Sequence, residues 1–283
     1  MNKTEGIIVL LSLAVLPWLS PSSNAQNMRK QFKNEVLIGV KRTNALPDEI
    51  LTEKDLEHLP QLVQKYIRYT GAVGKSKVKN MRVEFNGIIR GKPEDGWMKF
   101  KSVQYNFFDE PTRAFYINAR KMGIPASGLH LYKNKTATMV MKIAGLFKVV
   151  DAKGSEMDQS ETVTVFNDMC LMAPASLINN NIQWEEVDSS TVKARFTNGN
   201  ITISATLSFN EKGELIDFIS PDRYECNDGI HYYNYPWSTP VANYKKLNGY
   251  NIFTFGKTIY NRPDIDSCYG EFNLSDITYN VNE

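Results

Sequence analysis

The apolar positions of this chain change period several times, and each change marks an element. Leu59, Leu62, Val63, Tyr66 and Ile67 recur on one helical face, with Pro60 suited to the first turn and Gly71 to the stop. From Val78 the period drops to two. Met81, Val83 and Phe85 alternate with Arg82, Glu84 and Asn86, as a half-solvated strand requires. A strand from Trp97 to Phe108 follows the Pro93-Glu94-Asp95-Gly96 turn and is apolar on both sides. Met98 and Phe100 lie on one face, and Trp97, Val103, Tyr105 and Phe107 on the other. Phe115–Ala119, Leu129–Leu131 and Ala137–Ile143 extend the series. The clearest alternation sets Ile201, Ile203, Ala205, Leu207 and Phe209 against Thr202, Ser204, Thr206 and Ser208. Asn210-Glu211-Lys212-Gly213 then turns the chain into Leu215–Ser220. Further strands are predicted at 182–187, 191–196, 230–235, 250–260 and 268–281. Short connections between them imply antiparallel neighbours.

One helical segment interrupts this pattern. Asp158-Gln159-Ser160-Glu161 has the spacing of a capping box, and Val165, Phe166, Met169, Cys170 and Met172 share one side of the helix it would open. Pro174 must end or kink that helix and can begin another turn through Ala175–Ile178. The expected fold is mainly β: a strongly curved antiparallel sheet, a half-barrel or open barrel, with two or three helices packed on its concave side.

The start of the chain reads differently. A basic Met1-Asn2-Lys3, an apolar run from Ile7 to Leu19 and the small residues Ser23-Asn24-Ala25 have the order of a Sec-type signal peptide removed near Ala25. The run is shorter than the roughly 20 residues a membrane span needs. The expectation is therefore export to the periplasm. Residues 1–25 form the leader, 26–58 an extended or partly helical lead-in with one short helix around Phe32–Ile38, and 59–283 a single β-rich domain.

Composition narrows the partners. With 33 basic and 31 acidic residues the chain carries +2, no electrostatic case for nucleic acid or an anionic membrane. Its 14 Tyr and 14 Phe favour strands and large apolar contacts. Of the three cysteines, Cys226 and Cys268 lie in strand-like contexts and are the favoured pair in an oxidising compartment. Cys170, on an apolar stripe, reads as a buried hydrophobe.

Chemistry is sparse. His58, His130 and His231 lack partners at metal-ligand spacing, and no phosphate-cradling loop, nucleophile elbow or dinucleotide fingerprint occurs. No metal and no cofactor is expected. A Cys–His hydrolase of unknown substrate would need Cys170 beside His130, with Asp168 or Asn167 orienting the ring. Burial on the helix stripe argues against a reactive Cys170. A carboxylate pair could be drawn from Glu156, Asp158, Glu161, Asp168 and Asp222, but linear spacing does not give their separation. His130 projects opposite Leu129 and Leu131, to solvent or into a pocket beside Tyr132. Arg223, after Pro221-Asp222, reads as a turn residue or as a holder of an anionic group.

Several segments together resemble an uncharacterised bacterial family known as a domain of unknown function. They are Leu59-Pro60 with Tyr66-Ile67-Arg68-Tyr69, Gly128-Leu129-His130-Leu131-Tyr132, Val149-Val150-Asp151-Ala152, Trp184, Asp222-Arg223-Tyr224 and Trp237-Ser238-Thr239-Pro240-Val241. The most specific is Glu161-Thr162-Val163-Thr164-Val165-Phe166-Asn167-Asp168-Met169-Cys170 with Ala173-Pro174-Ala175. The resemblance runs from about Leu59 to Val281 and implies no activity. The order of elements looks like the half-barrel of LolA-like lipoprotein carriers, an analogy of architecture.

The expected function is a periplasmic, non-enzymatic binding protein for a hydrophobic ligand, a lipid or acyl chain. Phe100, Tyr105, Phe107, Met139, Met141, Phe166, Met169 and Met172 would line its cavity, with Arg223 as a further ligand contact. The alternatives are the exported hydrolase built on His130, Asp168 and Cys170, and a structural or interaction module with an envelope protein partner.

Overall fold

The computed structural model describes residues 22–282, and side chains from residue 27. Most of the expected leader lies outside these residues. Thirteen antiparallel strands form one half-barrel sheet curled through about 250°. In chain order they are β1 (Asn80–Ile89), β2 (Met98–Phe107), β3 (Thr112–Lys121), β4 (Ile124–Lys133), β5 (Thr136–Ile143), β6 (Phe147–Lys153), β7 (Ile182–Glu186), β8 (Thr191–Asn198), β9 (Ile201–Phe209), β10 (Leu215–Ser220), β11 (Trp237–Ser238), β12 (Phe255–Asn261) and β13 (Asp266–Tyr279). Their spatial order is β6-β5-β4-β3-β2-β1-β13-β12-β11-β10-β9-β8-β7, with Val241–Ala242 paired on β12 beside this path. Two meanders thus end at the free edges β6 and β7, and the last strands close the middle.

The lead-in is more ordered than the sequence predicts. Helix α1 (Ser22–Asn44) packs on the outer face of the sheet, across β2, β3 and β4. Met28 and Phe32 meet Ala114, Tyr116, Leu129 and Leu131 there in a second apolar cluster. This explains the two-sided strand. Tyr105 and Phe107 face α1, with the Phe32 and Tyr105 rings 6.0 Å apart. Beyond α1, Leu51 and Leu56 are fully buried in the main core.

The predicted helix near Leu59 appears as α2 (Gln61–Thr70), with Pro60 at its start and Gly71 in the left-handed region (φ 71°) at its end. The other, α3 (Ser155–Met172), runs from the β6 edge to the β7 edge. It begins a turn before the capping box. Asp158 therefore does not cap the helix but accepts from the Ala137 amide at 2.6 Å, which ties α3 to β5. Pro174 opens a short 3-10 turn through Ile178, as expected. Both helices belong to the main core, with the Tyr66 hydroxyl donating to the Cys170 carbonyl at 2.9 Å.

Two strand predictions change, and one strand is unpredicted. Residues 230–235 keep only Tyr233–Asn234, paired with Tyr224–Glu225. The 250–260 stretch divides into Tyr250–Ile252 and β12. Strand β6 was hidden because a bulge opposite Met141 and Lys142 breaks its alternation. All three cysteines are free, so the favoured Cys226–Cys268 bridge is absent. Among the described residues no helix is long and apolar enough to cross a membrane.

Candidate functional site

Between α3 and the inner face of the sheet lies a cavity of about 400 Å³. Its position follows from the register. On β1, β2, β3 and β5, alternate residues point inward: Phe85 and Ile89, Met98, Phe115 and Ile117, Met139 and Met141. Val150, Phe253 and Phe272 complete an apolar wall. Gly128 keeps its share of that wall low, since a Cβ there would meet Ile117 at 2.9 Å and Met141 at 3.3 Å. Gly91, Asp95, Val149 and Asn227 line the cavity while exposed to solvent, which places the mouth at the β1–β2 turn, the start of β6 and the 226–232 loop.

Charged groups make its floor. Helix α3 turns Met157, Ser160, Glu161, Thr164, Asn167, Asp168, Leu171 and Met172 to the cavity, a stripe at helical spacing. Opposite, Arg113 bridges two carboxylates, Asp168 at 2.9 Å from Nε and Glu161 at 3.1 Å from Nη1. Gln104 and Asn106 also donate to Asp168, at 2.7 and 3.0 Å. Glu161 is 1 % exposed. Burial works against its charge, yet Arg113, His130 and Arg223 outweigh burial and hold the carboxyl down at about 2. Burial pushes Asp168 up, with Arg113 and Asn106 pulling against it. His130 stands 3.7 Å from Glu161 and edge-on to Phe115. Burial pushes its imidazole down, with Glu161 pulling the other way.

Arg223, half-buried, is the second cation at the floor. Its guanidinium stacks 4.3 Å over Trp237 and donates to Tyr260, Tyr269 and Thr164. The Nη2 group has only Glu161, at 3.9 Å, outside hydrogen-bond reach. The Tyr269 hydroxyl accepts from Trp237 at 3.0 Å and from Arg223, which leaves its own O–H to donate. Unspent donors therefore face the end of an apolar chamber.

Of the residues expected to line the cavity, Met139, Met141, Met172 and Arg223 do so. Phe100 points inward but packs on Phe272 in the filled core. Phe166 stacks on Phe196 at 5.1 Å and, with Met169, lies on the side of α3 turned from the cavity. Tyr105 and Phe107 are a correction: period two puts them opposite Phe100, outside the half-barrel. Asp168 and His130 share the cavity, whereas Cys170 is fully buried apart from it and its thiol is pushed well up by burial. The alternative trio of His130, Asp168 and Cys170 is not brought together in the cavity. Among the described residues no cluster of three or more His, Cys, Asp or Glu could hold a metal ion.

Sequence reasoning passed over Arg113, Gln104 and Asn106. The signal was available, because each is polar in phase with inward apolar neighbours: Gln104 and Asn106 with Phe100, Arg113 with Phe115 and Ile117.

The chain belongs to the family of unknown function DUF6544, whose family model matches residues 49–272. No curated protein matches it. Among solved structures it is similar to a DUF1329 family protein from Desulfovibrio piger, at 12 % identity and TM-score 0.46, covering 83 % of this chain and 95 % of that one. It is also similar to a LolA superfamily protein from Nitrosomonas europaea, at 9 % identity and TM-score 0.42, covering 77 % and 91 %.

Proposed function

We propose that this protein is an exported, non-enzymatic binding protein that shelters a lipid or acyl chain in the half-barrel. The single observation behind this reading is the cavity itself: methionine and aromatic walls around about 400 Å³, open at one rim and ending on the half-buried donors Arg223 and Tyr269. Such a volume falls in the range of roughly 300–1,000 Å³ usual for small-molecule sites. Flexible thioethers such as Met98, Met139, Met141 and Met172 suit a chain without fixed shape. The polar end of the ligand meets Arg223 and Tyr269, whose free donors compensate its loss of water.

The test is native mass spectrometry of protein extracted gently from its own producer cells. The expected result is an added mass in the lipid range on the wild type, absent from Met141→Trp, which fills the chamber. A bare wild-type mass under conditions that keep a known lipid carrier loaded would refute the proposal.

A further inference from the structure

The mouth of the cavity carries a second feature that its walls do not need. Sheet register brings the β1–β2, β3–β4, β5–β6 and β12–β13 turns to one rim, since Ile89 pairs with Gly270, Lys121 with Ile124 and Ile143 with Phe147. Large apolar side chains stand out from it. Met122 is 96 % exposed and Phe147 68 %, beside Ile124, Leu146 and Val149. At the opposite rim the turns of the same meander are Asp109-Glu110-Pro111 and Asn134-Lys135.

Backbone conformation sharpens the contrast. Two-residue hairpin turns place residues at positive φ, where Asn, Asp and Gly are favoured. Asn134 follows that rule at φ 51°, whereas Met122 in an equally short turn takes the same region at φ 49°, as does Ala144 in the three-residue β5–β6 turn at φ 53°. An exposed methionine at a strained tip gains nothing for the fold. Charge is also uneven. Residues 112–150 contain no Asp or Glu, and Arg120, Lys121 and Lys142 flank the two apolar tips, while Lys148 is paired with Asp151 and the acids of this rim, Glu94, Asp95 and Asp264, sit on the β1–β2 and β12–β13 turns. The whole-chain charge of +2 conceals this local excess.

We propose that the β3–β4 and β5–β6 tips dock on an anionic lipid surface, with Met122, Leu146 and Phe147 entering the headgroup layer and Arg120, Lys121 and Lys142 pairing with lipid phosphates. Apolar insertion backed by basic residues is the pairing a charged interface recognises. The mouth, bordered by Val149, then opens onto lipid. This docking rests on the rim alone and would hold even with a different cargo in the cavity.

Vesicle flotation of the full chain tests it, with phosphatidylglycerol-containing and pure phosphatidylcholine vesicles. Binding to the anionic vesicles is expected to fall at least tenfold in Met122→Ser/Phe147→Ser. It should fall about fivefold per charge in Lys121→Gln and Lys142→Gln, since each basic residue near the surface contributes on that scale. A readout confined to the tip uses Phe147→Trp and, as a control at the other rim, Glu110→Trp. Brominated lipid should quench the added fluorescence of the first and not of the second. Equal binding of wild type and Met122→Ser/Phe147→Ser, no anionic preference, or equal quenching at both rims would each overturn the docking surface. Unchanged melting temperatures establish that these exposed substitutions leave the fold intact.

Discussion

Arg113 is the residue on which the interior depends. It neutralises two buried carboxylates, Glu161 and Asp168, at the floor of the cavity. Removing one partner of such a cluster leaves charge uncompensated at a cost of about 3–5 kcal/mol. Arg113→Met is therefore expected to lower the unfolding free energy by about that amount, a large part of the ~5–15 kcal/mol typical of a domain. A urea titration measures it. His130 gives a pH signature. Its folded-state pKa lies below the unfolded value, so its contribution is complete above about pH 6.5 and is lost as pH falls through that value, where only the unfolded chain takes up the proton. Glu161, depressed to about 2, is a separate loss that sets in below the ordinary carboxylate range. The drop in melting temperature between pH 7.5 and 5.5 should shrink in His130→Gln. An unchanged drop would place the titrating group elsewhere.

At the scale of elements, α1 tests how far the outer face matters. Gly39 allows the helix to lie against the Phe107 ring, since a Cβ there would run into it. The helix end is then tied down by Arg42 to Asp109 at 2.7 Å and by Asn80 donating to Thr43 at 2.7 Å. Gly39→Val is expected to cost ~1–3 kcal/mol through overpacking and to speed proteolysis within 22–44, while β1–β6 stay protected from hydrogen exchange. How much was legible varies with what each element touches. Strand β9 and its 210–213 turn were readable because one face is core and the other solvent. Helix α2 was readable from its single apolar face and its Gly71 stop. Helix α1 is legible only at its Phe32–Ile38 segment, because the stretch is mostly polar and buries few apolar side chains, Met28, Phe32 and Val40. Tyr105 and Phe107 read as cavity lining because a strand apolar on both faces does not show which face a helix covers. Helix α3 was located by its apolar side, while the stripe that builds the site is its polar one.

For the molecule as a whole, the curved sheet, the helix along its concavity and the mouth at one rim make a single device. The chemistry of the floor was spread over β2, β3, α3 and the segment after β10, so no local motif could carry it. Total charge misled for a related reason, averaging a basic half-sheet with acidic regions elsewhere. The most direct measurement is equilibrium titration of delipidated protein with a fluorescent long-chain acyl probe. A saturable one-site rise in emission is expected, abolished by Met141→Trp and weakened about tenfold by Arg223→Gln, which withdraws the half-buried charge-assisted donor. No saturable rise, or a rise that Met141→Trp leaves intact, would contradict a ligand chamber inside the half-barrel.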